Sequence, residues 1–164
     1  MASKADFTDE EWARLKRAPF VAGLAISLAD PGGPIEAVKE TSATLKTVLA
    51  SAQGGDHGEL VSEIAQSVEA DARQHHSPLS GFKPSKGASA GVEILEELGG
   101  AYGIVSEKGS PEDAAAFRAW LLEVAQAAAD AAKEGGFMGW HAERVSEGEQ
   151  RMLDRLGETL GGNS

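Results

Sequence analysis

Apolar residues recur every three to four positions in long runs along this chain, and glycine and proline collect in the short stretches between them. That is the pattern of amphipathic helices joined by turns. Alanine and other strong helix formers fill the long segments and β-branched residues never cluster, so no strand is expected. The first helix has the clearest start. Thr8 as N-cap with Glu11 three residues later forms a capping box, while Phe7 and Trp12 flank it as a hydrophobic staple. Pro19 then either kinks this helix or begins a second one, and a break is expected near Ala18.

Asp30-Pro31-Gly32-Gly33 ends that element, and Pro34 suits the first turn of a helix running to about Ala52, with Ile35, Val38, Leu45, Val48 and Leu49 on one face. Gly54-Gly55 separates it from a third helix, capped by Asp56 with Glu59, whose stripe is Leu60, Val61, Ile64 and Val68 and which fades near His75. Residues 75–87 carry two prolines and read as the longest loop. A fourth helix presents Val92, Leu95, Leu98, Tyr102 and Val105. Its Gly99, Gly100 and Gly103 either bend it or admit a close neighbour, the second being favoured.

Ser110-Pro111-Glu112-Asp113 opens the fifth helix with an N-cap, an N1 proline and acidic residues at the positive helix end; it continues to about Glu134. Its stripe thins from Phe117, Trp120, Leu121 and Val124 to Ala128 and Ala131, so neighbours should pack closer along its second half. After Gly135-Gly136, Ser146 with Glu149 caps a last helix to about Leu160, with Met152, Leu153, Leu156 and Leu160 inward. The three capping boxes do not recur at a fixed period, so there is no internal repeat.

These elements make one domain over 1–164, with 1–6 and 161–164 expected as flexible tails. The expected architecture is a single all-α bundle of five or six helices, roughly antiparallel because the connections are short. The most apolar stretch, residues 19–29, is too short to span hydrocarbon and is interrupted by Gly23 and Ser27. The mixed-sign residues before it do not resemble a secretory signal, and no lipidation motif is present, so a cytoplasmic protein is expected. Fifteen basic against 26 acidic residues leave a net charge of −11, which argues against nucleic acid and anionic membrane as partners. With no cysteine, disulfides, thiolate metal sites and thiol nucleophiles are excluded.

Three places carry candidate chemistry. Asp71 and His75 share a helix face at i, i+4 and His76 follows, a spacing that can present ligands to a divalent metal; the same histidines also suit a helix C-terminus simply by charge. No Glu-x-x-His motif occurs, so a di-iron bundle site is excluded, and His57-Gly58-Glu59 lacks the cysteines a zinc deaminase needs. Gly32-Gly33 and Gly54-Gly55 match no phosphate-binding fingerprint, and Lys83 and Lys86 in the long loop can meet an anion or simply water. The most unusual feature is Phe137, Met138 and Trp140 among glycines, with His141 and Arg144 beside them. It either seals the bundle end or forms a docking patch or pocket rim.

The stretches Gly-Gly-Phe-Met-Gly-Trp-His and Arg-Val-Ser-Glu-Gly-Glu, with Phe-Thr-Asp-Glu-Glu-Trp and Ala-Pro-Phe-Val-Ala-Gly near the start, resemble small all-helical bacterial proteins. The resemblance implies a helical fold and a bacterial cytosol, and brings no activity with it. No nucleophile is assigned and no cofactor is expected. The residues suggest a non-enzymatic interaction module that binds a protein partner or itself through an apolar face. The alternative is a small-molecule or metal-binding protein using the bundle interior or residues 135–144.

Overall fold

The computed structural model describes residues 2–29, 34–53, 57–79, 81–84, 89–134 and 147–161, and the side chains of all of these except 34–40 and 132–134. Among them are six α-helices and no strand: α1 (Asp9–Ala29), α2 (Pro34–Gln53), α3 (Gly58–Arg73), α4 (Ala90–Lys108), α5 (Pro111–Glu134) and α6 (Glu147–Thr159). The all-α bundle is the one the hydrophobic pattern requires. Residues 135–146, and with them Phe137, Met138, Trp140, His141, Arg144 and the Ser146 cap, lie outside the described residues, as do Asp56 and Lys86.

The caps expected at the starts of α1 and α5 are present, whereas α3 takes His57 rather than Asp56 as its N-cap, without a side-chain cap bond. The Thr8 N–H donates to Glu11 Oε1 at 2.8 Å and Thr8 Oγ1 accepts from the Glu11 N–H at 3.1 Å. Phe7 and Trp12 meet with ring centroids 5.7 Å apart. Such a cap contributes about 1 kcal/mol. At the start of α5, Ser110 and Asp113 exchange the same pair of bonds, each at 3.1 Å. Asp113 also accepts the Ala2 N–H at 2.9 Å. The beginning of the chain, expected as a loose tail, is therefore drawn onto α5: Ala2 is buried and Lys4–Asp6 form a 3₁₀ turn.

Two expectations are corrected. α1 runs through Pro19 without the break expected near Ala18. Leu15, Ala18, Phe20, Val21, Ala22, Ala25 and Ile26 are all buried around it. An interior proline costs about 3 kcal/mol, and burying several large side chains at about 1.5–3 kcal/mol each outweighs it. In α4 the inward stripe is Ala90, Ile94, Leu98, Ala101 and Val105, while Val92 is 51% exposed. Two residues turn a helix by about 200°, so a face centred on Ile94 sends Val92 to the far side.

Long-range contacts fix the helix directions. Glu11 meets Lys108 and Arg14 and Arg17 meet Glu97, so α1 and α4 run antiparallel. The Trp12 indole N–H donates to Ser67 and Lys16 pairs with Asp71, so α1 and α3 run parallel. Trp120 of α5 donates to Ser51 near the end of α2, with Phe117 and Trp120 buried at the centre of the core. α2 therefore lies between α3 and α5 and crosses α1, and the contact of α1, α2 and α3 encloses the cleft described next.

Candidate functional site

Ala13, Lys16, Phe20, Gly23, Leu24 and Ser27 line a continuous hollow along one side of α1. Their spacings are those of one helix face. Its outer part, about 480 Å³, is walled by Leu45 of α2 and by Val68, Asp71 and Ala72 of α3, with His76, Ser77 and Pro78 beyond. A smaller hollow of about 140 Å³, also open to solvent past the exposed Thr41, Ser77 and Pro78, lies against Thr44 of α2 and Leu79. Phe20, Ser77 and Pro78 line both. The volume of the smaller hollow is close to that of an enclosed cavity of about 150 Å³ that holds benzene.

Thr44 is the unusual residue here. It is 2% exposed, and its Oγ1 has no hydrogen-bond partner. A hydroxyl buried without a partner costs roughly 1–3 kcal/mol. The neighbouring hydroxyls of α2 do not share this fate: Thr47 Oγ1 donates to the Ala43 carbonyl at 2.9 Å and Ser51 Oγ to that of Thr47 at 3.1 Å. Gly23 makes room for Thr44, since a Cβ on Gly23 would stand 2.5 Å from Oγ1.

The mouth is polar. Lys16 Nζ donates to Asp71 Oδ2 at 2.6 Å, and both side chains are partly exposed. Asp71 Oδ1 faces His76 Nδ1 at 3.9 Å, beyond hydrogen-bond reach. The end of α3 sets this geometry. The His75 N–H donates to the Ala72 carbonyl at 3.1 Å and the His76 N–H to that of Asp71 at 3.0 Å. His75 takes φ +60°, the left-handed position that glycine usually fills in such a helix stop. The turn thus folds His76 back beside Asp71.

Of the sequence-predicted metal set, the structure therefore brings Asp71 and His76 together in the cleft mouth and gives His75 a backbone role. Among the described residues no group of three His, Asp or Glu side chains is placed to hold a metal. Lys16, Gly23 and Thr44 were not singled out as site residues. One signal was available: a glycine inside an otherwise apolar helical run marks a close approach.

A second hollow of about 450 Å³ lies between α2 and α5, where His57 contacts Glu123. Behind its Ser51 the Trp120 indole N–H donates to the Ser51 hydroxyl at 3.0 Å. On the α1–α4 side, Arg14 and Arg17 both engage Glu97, at 3.3 and 2.8 Å. Leu28 and Val92 are the exposed large hydrophobics among the described residues, and they sit on different helices. In comparison with known proteins, no protein family, no curated protein and no solved structure matches the chain.

Proposed function

We propose that this bundle is a small-molecule-binding protein whose ligand occupies the cleft between α1, α2 and α3. The observation that carries the reading is the Thr44 hydroxyl, buried without a partner beside the smaller hollow, whose lining also includes Ser27, Thr41 and Ser77. A protein that only needed to pack would gain from valine at that position, because the buried hydroxyl is a cost with no return in the free state. A ligand with an apolar body and one hydrogen-bonding group supplies the missing partner. This is the usual composition of a ligand pocket: apolar walls and few, placed polar groups. The interaction reading has less to draw on, because the wide helix faces that suggested it are taken up by the core.

The test uses p-cresol, a single ring bearing one hydroxyl. It should raise the melting temperature of the native protein saturably, since a ligand of the folded state alone must stabilise it. Binding measured by calorimetry should weaken about tenfold in Thr44→Val, the value of one hydrogen bond of about 1.4 kcal/mol. A melting temperature that does not move with p-cresol, or equal affinity in Thr44→Val, overturns the reading.

A further inference from the structure

We infer that the ligand of this cleft is a zwitterion, a free α-amino acid with a hydroxylated aromatic side chain; the inference rests on the cleft being a ligand site. The charges at the mouth decide the head group. Lys16, Asp71 and His76 are the ionisable residues lining the cleft among those described. Lys16 uses one of its three N–H donors on Asp71 Oδ2, and Asp71 Oδ1 makes no hydrogen bond among the described residues. An unused cationic donor and an unused anionic acceptor thus stand side by side.

A ligand with one charge meets an opposing term in this arrangement. A carboxylate that approaches Lys16 also approaches Asp71, on a protein of net charge −11. An amine that approaches Asp71 also approaches Lys16. A ligand carrying ammonium and carboxylate on one carbon satisfies both, its ammonium on Asp71 and its carboxylate on Lys16, as charge-assisted hydrogen bonds in a partly shielded mouth. The opposing dipoles then add.

Distance and volume set the side chain. Lys16 and Gly23 are seven residues apart on one face of α1, about 10 Å along the axis. That is comparable to a ring extended by a two-carbon link to a carboxylate. The ring belongs in the smaller hollow of about 140 Å³, the size of one aromatic ring. Its hydroxyl belongs at Thr44 Oγ1, the buried group without a partner. Phe20, shared by both parts of the cleft, lies beside the path between them.

Four probes of matched ring and hydroxyl separate the contributions: L-tyrosine carries both charges, tyramine the ammonium alone, 3-(4-hydroxyphenyl)propionate the carboxylate alone, and p-cresol neither. Calorimetry on the full chain should show L-tyrosine binding at least tenfold tighter than each of the other three. Lys16→Met should abolish the advantage of L-tyrosine over tyramine, and Asp71→Asn its advantage over the propionate, with p-cresol unaffected by either. Both positions are partly exposed, and melting curves of the variants check that they fold. If p-cresol binds as tightly as L-tyrosine, or if L-tyrosine is indifferent to both substitutions, the zwitterion inference falls and the cleft remains a binding site. If none of the four binds, the inference and the functional reading fall together.

Discussion

Two helices of this bundle lay a side chain onto a glycine of a neighbour, and the two contacts end differently. α1 places Arg14 across Gly100 of α4, where even a methyl group would run into the guanidinium. α2 places Thr44 across Gly23 of α1. The guanidinium goes on to bond Glu97, which also holds Arg17, so both arginines brought to that face have a partner. The Thr44 hydroxyl has none. Close approach over glycine is thus a packing device on one side of α1; on the other it delivers a polar group to the side of the smaller hollow. The difference separates a face built for stability from one that carries an unfavourable group in the free state.

The largest test of that contrast is Glu97→Ala. It leaves two arginines without their shared carboxylate at positions only partly reached by solvent, and should cost about 2 kcal/mol, discounted from the fully buried case. A urea midpoint unchanged from wild type would show that the α1–α4 face is not held by this cluster. Next in size is Gly23→Ala, which forces a methyl group onto a short, buried side chain and should cost about 1–2 kcal/mol. Gly100→Ala should cost less than Gly23→Ala, because the tip of Arg14 can swing aside and alanine favours the helix. Adding Thr44→Ala to Gly23→Ala should recover at least about 1 kcal/mol, a coupling that a double-mutant cycle reads directly. Additive effects would mean that the two residues do not meet as described.

Thr44→Val then distinguishes a packing residue from a ligand residue by sign. Without ligand the variant should be about 1 kcal/mol more stable than wild type, since the unpaired hydroxyl is removed at nearly constant volume. Its p-cresol affinity should fall at the same time. Stability gained together with binding lost is the signature of a group kept for a ligand. Loss of stability in Thr44→Val would instead point to a structural role for the hydroxyl.

What the sequence disclosed follows from the range of the interactions involved. Caps and stripes are written within four residues, so Thr8 with Glu11, Ser110 with Asp113 and the buried faces of α3 and α5 were legible. Pro19 misled because burial of its neighbours across the bundle overrides a local cost. Val92 misled because the phase of α4 is set by what Ile94 packs against, which no local pattern contains. The site was half visible: Asp71 and His76 stood out by type, whereas Lys16 reaches Asp71 across 55 residues of chain and Thr44 reads as an ordinary polar position until Gly23 is set against it. His75 was read for its imidazole, yet its backbone decides its place. His75→Gly should stabilise the protein by up to about 1 kcal/mol by relieving the left-handed conformation, measured as a higher urea midpoint.

The smallest expected effect concerns acid, and it belongs to the first turn of α5. Burial pushes the Asp113 carboxyl up, but the N–H groups of Ala2 and Ser110 and the Ser110 hydroxyl together outweigh it and hold the group below the ordinary aspartate range. A carboxyl whose native pKa is depressed binds its proton more readily in the unfolded chain. Its contribution to stability is therefore complete above about pH 4, declines as the pH falls below the ordinary aspartate value, and is gone below the native one. Asp113→Asn should be less stable than wild type at neutral pH, and the gap should narrow with acidification through that window in urea melts taken from pH 7 to pH 2. A gap that stays constant with pH would place the value of Asp113 in its shape alone, and not in the charge that ties Ala2 to α5.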